Sequence, residues 1–107
     1  MPKPVTLTFH HDPGHGWLEV PVETFLLAGA KFSRISPYSY AGVKGYVPYL
    51  YLEEDCDAFV FLQAAEQVGM KVTILNQMHP GECFVRQLGD IPFATIKAKM
   101  ESAGMEF

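Results

Sequence analysis

Cysteine is scarce in this chain: Cys56 and Cys83 are the only two among 107 residues. Two thiols without C-x-x-C spacing supply neither the disulfide framework of a small secreted domain nor the four-cysteine set of a structural zinc site. Long apolar runs are missing too. Nothing approaches the ~20 residues of a bilayer-spanning helix, and Met1-Pro2-Lys3-Pro4-Val5 passes straight into alternation instead of a signal-peptide core. A cytoplasmic protein with no membrane contact is expected. Cations are few: eight Lys plus Arg face twelve Asp plus Glu, for a net charge of −4. This balance removes any general attraction to phosphate backbones or anionic lipid and argues against nucleic acid as a partner. What is abundant excludes disorder, since 49% apolar and 13% aromatic residues can bury enough surface to offset chain entropy. The length suits one domain, residues 1–107.

Val5, Leu7 and Phe9 alternate with Thr6, Thr8 and His10, the period of a half-buried strand, up to the turn signal Asp12-Pro13-Gly14. A Pro-Gly pair does not suit a primed two-residue turn, so a loop of about four residues is expected before the return strand at Trp17, Leu18, Glu19 and Val20. Pro21 then opens a short helix through Val22, Phe25 and Leu26 that stops at Gly29. The second unit reads alike. Phe32 and Ile35 lead as a strand towards Pro37, a loop follows through Gly42 and Gly45, and residues 47–52 form the partner strand. Asp55 or Asp57 can cap the next helix, whose stripe is Ala58, Phe61, Leu62, Ala65 and Val68, ending at Gly69. In the third unit Val72 and Ile74 begin a strand to Gln77, His79-Pro80-Gly81-Glu82 turns, and residues 83–88 return as a strand. Asp90 caps a last helix with Phe93, Ile96, Met100 and Ala103 on one side, closed by Gly104. The expectation is a single α+β domain in ββα-ββα-ββα order, its three helices packed on one face of a largely antiparallel sheet.

Three of the four histidines lie in the segment His10-His11-Asp12-Pro13-Gly14-His15, and imidazole with carboxylate is a ligand set for zinc or another divalent metal. Consecutive His10 and His11 point to opposite faces of a strand, so at most one of them can converge with Asp12 and His15; His11, Asp12 and His15 are the candidate ligands, with Glu53, Asp55 or His79 as a fourth. Glu53, Glu54, Asp55 and Asp57 crowd the start of the second helix, more carboxylates than capping requires, and suit a basic partner or a cation site. All five tyrosines, Tyr38, Tyr40, Tyr46, Tyr49 and Tyr51, fall within fourteen residues. Tyr49 and Tyr51 share the strand face opposite Leu50 and Leu52, where they form either an aromatic ladder or an exposed contact surface. The carboxylates beside Cys56 oppose its activation as a nucleophile, and Cys83 reads as a small core residue. Phe59 and Val60 lie off the helix stripe and suggest a second apolar surface or a homodimer contact.

The phrases His11-Asp12-Pro13-Gly14-His15-Gly16-Trp17-Leu18-Glu19-Val20-Pro21, Ser36-Pro37-Tyr38-Ser39-Tyr40 and Tyr51-Leu52-Glu53-Glu54-Asp55-Cys56-Asp57 give the first two thirds of the chain a likeness. It resembles short accessory proteins encoded by bacteriophages, plasmids and other bacterial mobile elements. That resemblance supplies no catalytic residue. It implies a non-enzymatic protein of the bacterial cytoplasm that binds a host protein or complex, as inhibitors of CRISPR and other defence systems do. The partner surface would be the five tyrosines with Glu53, Glu54, Asp55 and Asp57, and no cofactor is expected. An alternative is a small metal- or ligand-binding enzyme using His11, Asp12 and His15. A third reading follows from Gly16-Trp17-Leu18-Glu19-Val20-Pro21 and its short following helix, which is similar to the swapped-hairpin DNA-binding regulators of the AbrB type. Their binding face is basic, whereas Lys3 is the only Lys or Arg in the first thirty residues here.

Overall fold

The computed structural model describes residues 4–107; Met1, Pro2 and Lys3, where the missing signal-peptide core was read, lie outside the described residues. The N-terminal alternation forms β1 (Val5–His11), and a four-residue turn, 12–15, leads to β2 (Gly16–Pro21). Gly16 is required where it stands, because a Cβ there would collide with the Phe9 ring. Pro21, unable to extend the ladder, hands over to α1 (Val22–Leu27). The second unit contains β3 (Tyr40–Lys44), β4 (Val47–Glu53) and α2 (Asp57–Gln67). The third contains β5 (Val72–Met78), a two-residue β6 (Gly89–Asp90) and α3 (Phe93–Ser102). The ββα-ββα-ββα order therefore holds, in one α+β domain with a six-stranded, mostly antiparallel sheet. Gly29, Gly69 and Gly104 leave the three helices at φ of 77°, 73° and 72°, a conformation that costs glycine nothing.

Several expectations are corrected. Phe32 and Ile35 do not begin a strand. Phe32–Arg34 is a 3-10 turn, closed by Ile35 N–H donating to the Phe32 carbonyl, and its three-residue period turns both apolar side chains inward. The hairpin instead starts at Tyr40 and reverses at Gly45-Tyr46, where both residues have positive φ, 58° and 70°, as a primed two-residue turn demands. Asp57 does not cap α2; Glu53 reaches forward to accept from the N–H groups of Asp55 and Cys56. Asp90 lies in β6, and α3 follows Pro92 without a side-chain cap. The α2 stripe fades at Val68, which is exposed.

The largest correction concerns the third unit. Sheet order is β5-β1-β2-β4-β3-β6, so the last two strands sit on opposite edges and never pair. β5 runs parallel to β1, Val5 opposite Val72 and His11 opposite Met78, while β6 pairs with Tyr40 and Ala41 of β3. Residues 83–88 do not return as a strand. Phe84–Gln87 is a 3-10 turn within a strap that carries the chain from one edge of the sheet to the other.

Leu7, Leu18, Val20, Leu50 and Leu52 form one face of the sheet and are buried by Phe25 of α1, Ala58, Phe61 and Ala65 of α2, and Met100 of α3. A smaller cluster, Trp17, Tyr51, Cys83 and Val85, forms where the strap crosses the other face.

Candidate functional site

The site is built on the face away from the helices. Strand register puts Thr8 beside Glu19, Glu19 beside Tyr51 and Tyr51 beside Tyr40, with His10 beside Trp17 in the neighbouring row. These are the positions between the buried leucines, so the alternation that made one face greasy loaded the other with aromatic and ionisable groups.

Asp12 fastens the strap over this face. Its carboxylate accepts from the N–H groups of Gly14 and His15, both at 3.0 Å, and of Cys83 at 3.1 Å, and takes a bidentate grip from Arg86, Nε at 2.6 Å and Nη2 at 2.9 Å. Arg86 foremost, helped by the backbone donors, holds the Asp12 carboxyl far below the usual carboxylate range against the opposing effect of burial. The Arg86 guanidinium lies over the Trp17 ring, 5.1 Å from its centre, and Tyr40 stacks near Trp17 at 6.2 Å and 23°. Beside this stack opens a cleft of about 400 Å³. Trp17, Tyr38 and Tyr40 supply its aromatic walls, Glu53 and Asp55 its carboxylates, and His15, Cys56 and Arg86 complete it.

On the other side of the strap lies a buried polar cluster. His10 Nε2 faces Glu19 Oε1 at 3.3 Å, and His10 Nδ1 faces His79 Nε2 at 3.1 Å. Lys44 Nζ donates to both Glu19 oxygens at 3.1 and 3.2 Å, and the Tyr51 hydroxyl is hydrogen-bonded to the same carboxylate. Burial alone would raise the Glu19 pKa; Lys44, Tyr51 and His10 outweigh it and keep Glu19 ionised. For His10 burial is the larger effect, so its pKa falls despite Glu19 and the ring stays neutral near pH 7. Burial and the adjacent Glu19 charge both raise the Tyr51 pKa, so its hydroxyl remains a donor. Cys83 completes the cluster: ligand atoms of His10, His79 and Cys83 all lie within 4.8 Å of one another.

The residues expected from sequence are partly gathered and partly scattered. Tyr38, Tyr40, Glu53 and Asp55 meet in the cleft. Tyr46 stands fully exposed at the β3–β4 hairpin tip, away from that cleft, and Tyr49 lies half-buried under Lys44 Nζ, 4.8 Å from its ring centre. Tyr51 is no surface anchor, being 3% exposed beneath the strap. Glu54 is exposed, but Asp57 is buried and accepts from the Ser36 and Ser39 hydroxyls and the Ser36 N–H, so it ties the 36–39 loop to α2 and cannot meet a partner. His11, Asp12 and His15 do not converge as ligands. His11 turns to the helix side and bonds Asn76 Oδ1 at 2.9 Å, Asp12 is consumed by Arg86, and His15 lies by Trp17. Phe59 is 62% exposed, off the helix-side core as expected, whereas Val60 is half-buried and packs against that core. The sequence reading missed His10, Glu19, Lys44, Trp17 and Arg86. A signal existed for the first two: each is a polar residue inside a strand, on the side that alternates with the core leucines.

No protein-family model matches the chain, and no curated protein or solved structure is significantly similar to it. Among the described residues no helix is long and apolar enough to cross a membrane.

Proposed function

We propose that this protein is a non-enzymatic binding module that takes a basic side chain of a host protein into the cleft between Tyr38, Tyr40 and Asp55. The observation that carries the reading is the meeting of three aromatic rings with two carboxylates in one concavity. Aromatic faces attract cations, by ~0.5–1 kcal/mol when exposed and ~2 kcal/mol when desolvated. The charge balance agrees. Arg86 is neutralised by Asp12, whereas neither Glu53 nor Asp55 belongs to an ion pair among the described residues. A host protein is the partner class that fits the mobile-element resemblance, a component of a defence system such as CRISPR among them; nothing in the geometry calls for turnover. The AbrB-type reading is not favoured, because a cleft bearing Glu53 and Asp55 repels phosphate.

Trp17, the only tryptophan, lines the cleft and reports on its occupancy. Titration with a short Arg- and Lys-containing peptide is expected to change its fluorescence saturably, while the Asp- and Glu-containing counterpart leaves it unchanged. Asp55→Asn combined with Tyr38→Ala is expected to abolish the response without altering the circular dichroism spectrum. Equal responses to both peptides, or none to the basic one, would refute the assignment.

A further inference from the structure

We propose that His10, His79 and Cys83 form a binding site for one zinc-class divalent ion, distinct from the partner cleft. The three come from separate segments, β1, the residue just after β5, and the strap, and the fold brings them together by identifiable means. Parallel pairing of β5 with β1 continues one step to His79, whose N–H donates to the His11 carbonyl at 2.8 Å. Asp12 holds the backbone N–H of Cys83. His10 and Cys83 are buried and His79 half-buried, which leaves the cluster open to solvent on the His79 side.

The donor set suits such an ion: two imidazoles and a thiolate are typical of zinc and its borderline-soft neighbours. With metal–nitrogen bonds of about 2.0–2.1 Å and a metal–sulfur bond of about 2.3 Å, tetrahedral ligand atoms sit roughly 3.3–3.7 Å apart. The two ring nitrogens are already at 3.1 Å and the sulfur is within 4.8 Å. A side-chain adjustment on the order of 1 Å completes the geometry, with a fourth position left for water.

An independent feature points the same way. Glu19, both of whose oxygens accept from Lys44 Nζ, also accepts from His10 Nε2–H, which turns the His10 Nδ1 lone pair towards His79 and Cys83. A carboxylate behind a ligating imidazole is the usual arrangement for fixing tautomer and ring orientation at a metal. Glu19 is itself fixed by Lys44 and Tyr51, and the Phe84 ring stands edge-on to His10 at 5.0 Å. Without metal, His79 Nε2–H donates to His10 Nδ1. On binding, His79 carries its proton on Nδ1 instead, the Cys83 thiol releases its proton to solvent, and both nitrogens and the sulfur donate lone pairs to the ion.

The test is titration of chelator-stripped full-length protein with Co(II) and Zn(II), read by absorbance and native mass spectrometry. One equivalent of either ion is expected, Co(II) giving a thiolate-to-metal charge-transfer band that Zn(II) displaces. His79→Ala, at the half-buried position, is expected to keep its circular dichroism and lose more than ~100-fold in affinity, beyond the ~10–100-fold typical of a residue that only orients a ligand. Cys83→Ser is expected to abolish the charge-transfer band, and His15→Ala and Cys56→Ser to bind as the parent does. A folded parent protein that takes up no stoichiometric metal would overturn the assignment, as would a His79→Ala variant that binds undiminished.

Discussion

The two faces of the sheet are made by the same strands and solve burial differently. The helix side is covered by three helices over an unbroken apolar layer, with Leu18, Val20, Leu52 and Phe61 sealed from solvent. The strap side has a single irregular segment for cover, tied down by Asp12, and beneath it Glu19 and His10 are buried with every polar atom satisfied. Apolar packing is non-directional and tolerant of detail, whereas a buried polar network stands only if each donor meets an acceptor. The first face therefore rests on apolar burial and the second on an ordered set of polar contacts. The proposed cleft and the proposed metal site both lie on the side that is harder to build.

Substitutions that separate the two faces follow from this contrast. Phe61→Ala, on the helix side, should cost about 3–5 kcal/mol, read from urea denaturation midpoints; a loss under about 1 kcal/mol would mean that α2 is not the main cover. Asp12→Asn should act on the strap side through pH. The Asp12 pKa is lower in the folded than in the unfolded chain, so its stabilisation is complete above about pH 4 and is lost as pH falls further. The variant should be less stable at pH 7, with a flatter acid limb in a pH series of melting temperatures, and an unchanged profile would detach the strap from Asp12. Tyr51→Phe keeps the ring and removes a donor from buried Glu19, for an expected loss of about 1–2 kcal/mol. If it is neutral, water replaces the hydroxyl and the network is less dry than the helix side. The smallest change belongs to neither face: Tyr46→Gly relieves a positive-φ side chain at the hairpin tip and should stabilise by roughly 0.5 kcal/mol, a slight rise in melting temperature.

Legibility in the sequence follows the same division. β1, β2, the four-residue turn, β4 and the three helices were readable because Leu7, Leu18, Leu50, Leu52 and Phe61 repeat at the periods of a half-buried strand or helix. The strap was not. Cys83 and Val85 alternate with Phe84 and Arg86 as strand residues do, and only the ion pair with Asp12, more than seventy positions earlier in the chain, shows why they cross the sheet instead of joining it. Of the cleft, Tyr38, Tyr40, Glu53 and Asp55 were visible as a crowd of suitable types, yet nothing local separated them from buried Tyr51 and Asp57. Burial at those positions is decided by the strap and by Ser36 and Ser39, which are long-range facts. The histidines were legible only as a surplus in the sequence, and Asp12, which has the look of a ligand there, serves in the fold as an anchor for Arg86.

Parallel pairing of β1 with β5 also orders events in time. During synthesis Val5 leaves the ribosome long before Val72, so the outer edge of β1 waits unpaired while β2, β3 and β4 can already assemble beside it. A nascent chain halted before residue 72 would carry an open strand edge, a template for pairing with its neighbours. His10 would wait with it, since both of its proposed co-ligands, His79 and Cys83, follow in the chain the strand that closes that edge.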